Sequence, residues 1–217
     1  MNQPIRLIYT ALLASLLVAG TQTVLASTNN LLMDPDFELK LAPEQGGWIL
    51  FDESTYSQRE ARSGKESMYN WGFSRTVPSP PYLLGTVSGS YQEFAAEPGS
   101  RWRMSGYGST PTPIKGAPAF GVVQISFFDA DGNDLGTVET SGAEKPRAKT
   151  SNQINRKSPA GEWIFLDTGI VTAPDNTAKV HVFTLFVDYS GSGIAQGVYF
   201  DDLMLCSLDH NGDPDCV

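Results

Sequence analysis

Turn-forming pairs recur along this chain at short intervals, with no helical spacer between them. Gly46-Gly47, Ser63-Gly64, Ser88-Gly89, Pro98-Gly99, Asp131-Gly132, Ser141-Gly142, Ala160-Gly161 and Ser190-Gly191 punctuate short runs rich in Val, Ile, Phe, Tyr and Trp. Glycine accepts the positive-φ corners of tight turns, and β-branched and aromatic residues fit a pleated, half-buried surface. Short strands joined this way must bury their apolar faces sheet on sheet. The chain is therefore expected to be all-β, an antiparallel β-sandwich of jelly-roll type, since a parallel sheet would need helical crossovers. The clearest strands are 122–128, 163–166 and 179–187. In the last, Val180, Val182, Thr184, Phe186 and Asp188 share one face and His181, Phe183, Leu185 and Val187 the other, so both faces are expected to be partly buried. Residues 73–82, 108–118 and 140–160 lack a clear period and are expected to be surface loops. The last contains a basic cluster, Lys145, Arg147, Lys149, Arg156 and Lys157, which reads as a solvated face.

The first 26 residues stand apart. Arg6 precedes an apolar run from Leu7 to Gly20, and Val24-Leu25-Ala26 resembles a cleavage site, the layout of a secretory signal peptide. The run falls short of the ~20 residues that span a bilayer, so no membrane span is expected. The sequence thus divides into a signal peptide (1–26), one domain (27–207) and an acidic tail (208–217), with a secreted or periplasmic location. Loss of Arg6, the one charge of the leader, takes the formal charge from −9 to −10. Outside the cytoplasm, Cys206 and Cys216, the only two cysteines, are expected to form a disulfide closing a short tail loop.

Composition narrows the function. With 24 Asp+Glu against 15 Lys+Arg, the surface repels phosphate backbones, and no nucleic-acid partner is expected. Two histidines, His181 and His210, leave little for acid–base or metal chemistry. There is no Gly-x-Ser-x-Gly elbow and no phosphate loop, and the neighbouring acids Asp52-Glu53 and Asp201-Asp202 would diverge to opposite faces of a strand instead of flanking a glycosidic bond. Catalysis is not expected. Asp129-Ala130-Asp131-Gly132-Asn133-Asp134 reads as a hairpin turn, and Asp209 to Asp215 as an acidic tail that ends before a calcium loop would close.

The motifs then converge on a family. Asn30-Leu31-Leu32-Met33-Asp34-Pro35-Asp36-Phe37-Glu38 followed by Gly46-Gly47-Trp48, then Ala61 to Met68, Tyr91-Gln92-Glu93-Phe94, Pro98 to Gly106, Phe127 to Asn133, Trp163 with Thr172-Ala173-Pro174, and Val198 to Leu205 keep the order seen in the carbohydrate-binding modules related to families 4, 9 and 22. The chain resembles this group over about residues 30 to 207. The resemblance implies a galactose-binding-like jelly roll that binds a polysaccharide or glycan without catalysis.

It also implies a structural calcium ion, held by Glu38, Asp201 and the backbone of Lys65, with Asp36 a further candidate; a carboxylate satisfied by backbone hydrogen bonds or an Arg is the alternative. On the strand pattern, Tyr199, Asp201, Leu203 and Leu205 share a face, which would point Asp201 inward. Sugar rings stack their C–H faces on aromatic side chains while polar groups meet the hydroxyls. Trp48, Trp102 and Trp163 match packing positions of the resembling group. Tyr69 and Trp71 share a strand face and, with Tyr56 and Tyr82 from neighbouring loops, are the expected platform, Gln92 and Gln124 the polar readers. The alternative function is a structural or adhesive surface protein, with a glycan-active enzyme behind it.

Overall fold

The computed structural model describes residues 30–78, 81–136 and 148–208, side chains of 77–82 and 136 apart. Two antiparallel sheets face each other. The first orders β1 (Ile49–Phe51), β5 (Thr86–Ala95), β13 (Lys179–Asp188), β7 (Ala119–Phe128) and β10 (Ile154–Asn155), with β8 (Asp134–Gly136) and β9 (Lys149–Thr150) also paired to β7. The second orders β11 (Ile164–Asp167), β6 (Arg101–Ser109), β14 (Ser192–Leu208), β3 (Ser67–Pro78) and β2 (Ser54–Ser57), with β12 (Val171–Thr172) on β6 and β4 (Pro81–Leu84) on β3. A 3-10 turn at Pro43–Gln45 is the helical element among the described residues, none of which forms a helix long and apolar enough to cross a membrane. This is the antiparallel sandwich that the turn pattern predicts.

Alternation builds the core. Val180, Val182 and Phe186 of β13 and Val123, Ile125 and Phe127 of β7 meet Met68, Met104, Val198 and Phe200 of the opposite sheet, closed by Phe37, Trp48 and Leu205. The inner layer also has a polar seam. Asn70 Nδ2 donates to Thr184 Oγ1 (2.8 Å), which also meets Ser90 Oγ (2.8 Å). At the end of β13 the buried Asp188 carboxylate accepts Ser74 Oγ of β3, the backbone N–H and Oγ of Ser190, and Gln196 Nε2 of β14. Burial pushes this carboxyl up, but the bonds from Ser190, Gln196 and Ser74 outweigh it and hold it below the usual aspartate range.

Several sequence expectations need correction. Residues 73–82 are largely a hairpin, β3 running on to Pro78 and pairing with β4; Pro78 and Pro81 pair at its closing end, where a missing N–H is tolerated. Within 140–160, Ile154 is fully buried on β10 and Ser151 N–H donates to the Val123 carbonyl, so the second half of that stretch is sheet edge and not free loop. Trp48 and Trp102 are core, but Trp163 is only half-buried ahead of β11. A bulge between Asp201 and Met204, with Asp202 at φ 47°, resets the alternation of β14. Phe200, Leu203 and Leu205 point into the core, whereas Tyr199 and Asp201 lie on the opposite face. The Asp129 turn is a hairpin turn as expected, its carboxylate accepting the N–H groups of Asp131 and Asn133. The leader, residues 137–147 with Lys145 and Arg147, and the tail from Asp209 with His210 and Cys216 lie outside the described residues.

Candidate functional site

The outward face of the first sheet carries a contiguous group of rings. Cross-strand register sets Phe183 of β13 between Tyr91 of β5 and Gln124 of β7, and His181 between Glu93 and Ser126. Tyr91 lies 5.5 Å from Phe183 and 5.4 Å from the His181 ring by centroid, Phe51 lies 6.4 Å from Tyr91, and Phe128 lies 4.2 Å from His181. All are half-exposed, and Phe120 continues the face at the other end of β7. Polar groups sit among them. Gln124 Nε2 donates to Ser126 Oγ (3.1 Å), while Glu93 takes Lys179 (2.9 Å) and His181 Nε2 (2.8 Å). Burial among the rings lowers the His181 pKa, and the Glu93 bond only partly restores it. Lys179 foremost, then His181, holds the Glu93 carboxyl below its usual range. Of the predicted binding residues only Gln124 stands here. The other rings were hidden in plain alternation: the apolar second face of 179–187 was the one signal, and its partners Tyr91 and Phe128 are revealed only by register.

The predicted platform lies on the opposite sheet. Tyr69 and Trp71 point outward from β3, and Phe73 continues their row. Tyr69 stacks on Tyr199 of β14 at 4.3 Å, and burial pushes its hydroxyl up to about 12. Trp71, half-buried, pairs across the ladder with Gly197, where a Cβ would stand 2.7 Å from Trp71 Cβ. Two clefts flank Trp71. One, of about 770 Å3, is lined by Lys40, Gln58, Arg59, Glu66, Tyr69 and Trp71 among others; the second, of about 400 Å3, by Asp52, Glu53, Trp71 and Phe73 among others. Buried Glu66 accepts Lys40 Nζ (2.8 Å) and the Gln58 amide on Oε1, while Oε2 has no hydrogen-bond partner. These bonds, Lys40 first, draw the Glu66 pKa down.

The remaining predicted binding residues separate from the platform. Tyr56 borders the larger cleft, but its ring packs on Phe37 (6.3 Å) and the core, and burial pushes its hydroxyl up to about 12. Gln92 is buried, its amide bonding Met33 N–H (3.1 Å) and the Met33 carbonyl (2.6 Å), so it fastens the N-terminal segment and is not available to a ligand. Cross-strand pairing places Gln92 opposite Val182, inside the sandwich, a parity that its motif did not disclose. The Tyr82 backbone belongs to β4, and its side chain lies outside the described set.

The proposed metal residues gather at one turn, 62–66. Glu38 Oε1 accepts the N–H groups of Lys65 (2.6 Å) and Glu66 (2.7 Å), and Asp201 Oδ2 accepts those of Arg62 (2.7 Å) and Ser63 (3.2 Å), with Asp202 N–H on Oδ1 (2.8 Å). Gly64 at φ 57° makes the corner; a Cβ there would sit 2.2 Å from Glu38 Oε1, so only glycine admits the contact. Arg62 stacks 3.5 Å over Tyr107 and pairs with Asp202. A hard cation needs oxygen donors; here Lys65 offers its N–H, and amide hydrogens engage Glu38 Oε1 and both oxygens of Asp201. No group of three Asp, Glu, His or Cys suited to a metal occurs among the described residues, and Asp36 has no bond to this turn. As placed, Glu38 and Asp201 are joined to the turn by the hydrogen-bonded clamp that was the alternative to a calcium ion. Burial raises the Asp201 pKa to about 6 against those hydrogen bonds.

The described residues thus form a two-sheet antiparallel sandwich that displays aromatic side chains on both outer faces. Solved structures share this fold. Arabinose-bound MgGH51 α-L-arabinofuranosidase aligns with a TM-score of 0.52 at 13% identity, over 86% of this chain and 27% of that one. The module titled Family 16 Carbohydrate Binding Module-2 aligns at 0.49 and 15% identity, over 81% and 99%, and the C-terminal family 22 carbohydrate-binding module of Clostridium thermocellum Xyn10B at 0.49 and 16%, over 82% and 94%. The chain spans 21% of the tailspike protein 4 active domain of bacteriophage CBA120, which it also matches. No protein-family model matches the chain, and no curated protein matches it by sequence.

Proposed function

We propose that the protein is an exported, non-catalytic carbohydrate-binding module that takes a glycan chain on the outward face of its first sheet. The observation that carries this is the cluster of Phe51, Tyr91, His181, Phe183 and Phe128, half-exposed and in mutual ring contact, with Gln124, Ser126 and Glu93 among them. Rings fixed by their neighbours lose little freedom when a sugar stacks on them, and the adjacent amide and carboxylate supply hydroxyl partners. Export rests on the leader pattern of residues 1–26. The tail disulfide is supported by the burial of Cys206 and by the even pair of cysteines near the C-terminal end. Calcium at the clamp is supported by the convergence of Glu38 and Asp201 on one turn and opposed by the N–H groups they accept; a melting comparison decides it.

The test of binding is affinity electrophoresis through gels containing soluble polysaccharides. The protein should be retarded in at least one gel, and Phe183→Ala should lose most of that retardation. Free migration in every gel would favour the structural, adhesive reading, and unchanged retardation of Phe183→Ala would reject this face.

A further inference from the structure

We infer that the outer face of β3 is a second sugar-binding surface, a groove along which an uncharged linear polysaccharide lies across Tyr69, Trp71 and Phe73. The inference rests on the reading of this protein as a glycan binder, and it concerns the sheet opposite the face proposed above. Residues two apart on a strand project the same way at intervals of ~6.6 Å, so the three side chains form a row. A row suits a chain, whereas a single sugar end-group would be met by one ring in an enclosed pocket.

Four observations converge on that row. The two clefts of about 770 and 400 Å3 adjoin at Trp71, which lines both, so the open space follows the row. Tyr69 is held by its stack on Tyr199, and half-buried Trp71 borders both clefts beside Gly197, so the platform is pre-formed. At one end Glu66 keeps an oxygen, Oε2, without a hydrogen-bond partner although the residue is buried. Exposed Gln58 caps its other oxygen; a sugar hydroxyl that displaces the Gln58 amide would supply the missing donor. The charges also select. Lys40 and Arg59 border one cleft and Asp52 and Glu53 the other, so an anionic chain favoured at the first end is repelled at the second, and an uncharged chain meets no such conflict.

The experiment is affinity electrophoresis of the protein in gels of hydroxyethylcellulose, arabinoxylan, galactan and, as the acidic probe, alginate. The protein should be retarded by a neutral polysaccharide. Trp71→Ala and Phe73→Ala should each raise the apparent Kd about tenfold. Phe183→Ala on the first sheet should weaken binding independently, and Trp71→Ala combined with Phe183→Ala should abolish it. If the protein and Phe183→Ala behave as expected but both β3 variants bind like the parent, the second surface is refuted while the binding function stands. If the parent migrates freely in every gel, both fail. Retardation by alginate alone overturns the uncharged ligand. Should Trp71→Ala fold poorly, Phe73→Ala decides, because that side chain is exposed.

Discussion

Ser74→Ala should destabilise the sandwich far more than the loss of one hydroxyl suggests, because Ser74 joins the two sheets at Asp188. Its Oγ donates to Asp188 Oδ1 (2.7 Å) and accepts the part-buried Gly191 N–H (2.8 Å), with Ser74 and Asp188 themselves fully buried. A buried hydrogen bond to a charged acceptor contributes about 2 kcal/mol, and an orphaned buried N–H costs about 1 more, giving about 3 kcal/mol at pH 7. In a domain of this size that lowers Tm by roughly 6–12 °C. The effect should depend on pH in a defined direction. The folded Asp188 carboxyl is held below its unfolded value, so its contribution is present above about pH 4 and fades as the pH falls below that. Urea unfolding of parent and Ser74→Ala at pH 7 and pH 3 measures this, with Ser207→Ala, at an exposed position, as a control expected within ~0.5 kcal/mol. A loss below ~1 kcal/mol at pH 7 would refute the role given to the Asp188 network.

Further outcomes follow from the clamp and the tail. With a carboxyl near 6 in the fold against 3.8 unfolded, Asp201 favours the folded state at low pH, so stability should rise by up to about 3 kcal/mol between pH 7 and pH 4 in chelator; an Asp201→Asn variant that keeps the same rise contradicts this origin. A bound calcium ion would hold Asp201 ionised and raise Tm above its value in chelator, and identical melts with calcium and with chelator would remove the metal from the account. Glu38→Ala should cost about 2 kcal/mol through the lost bonds to Lys65 and Glu66 whether or not calcium is present. Intact mass with and without a reductant should show one disulfide, and free thiol at both cysteines would exclude the Cys206–Cys216 bridge.

The alternation of residues was legible where strands run straight, and failed where the chain leaves that period. The inner face of 179–187 followed from the period of two, and the turn pairs marked an antiparallel sandwich. Asp201 was misplaced because a bulge at Asp202 restores inward alternation one step later, and a bulge leaves no mark in a run such as Tyr199-Phe200-Asp201-Asp202-Leu203. Trp71 and Tyr69 were found because they lie on one strand. The rings of the first sheet come from four strands, and which of them meet is fixed by registers between residues about 40 to 90 positions apart, beyond what local periodicity reports. Gln92 looked like a reader because its motif names the residue type, whereas its inward parity and its bonds to Met33 belong to tertiary structure.

Calorimetric titration of the parent protein with whichever neutral polysaccharide retards it most, repeated on Phe183→Ala, tests the central claim most directly. The account predicts measurable non-covalent binding by the parent, no release of reducing ends from the polysaccharide, and loss of most of the affinity in Phe183→Ala. Absence of heat and of retardation with every glycan, from a protein that melts cooperatively, would contradict it.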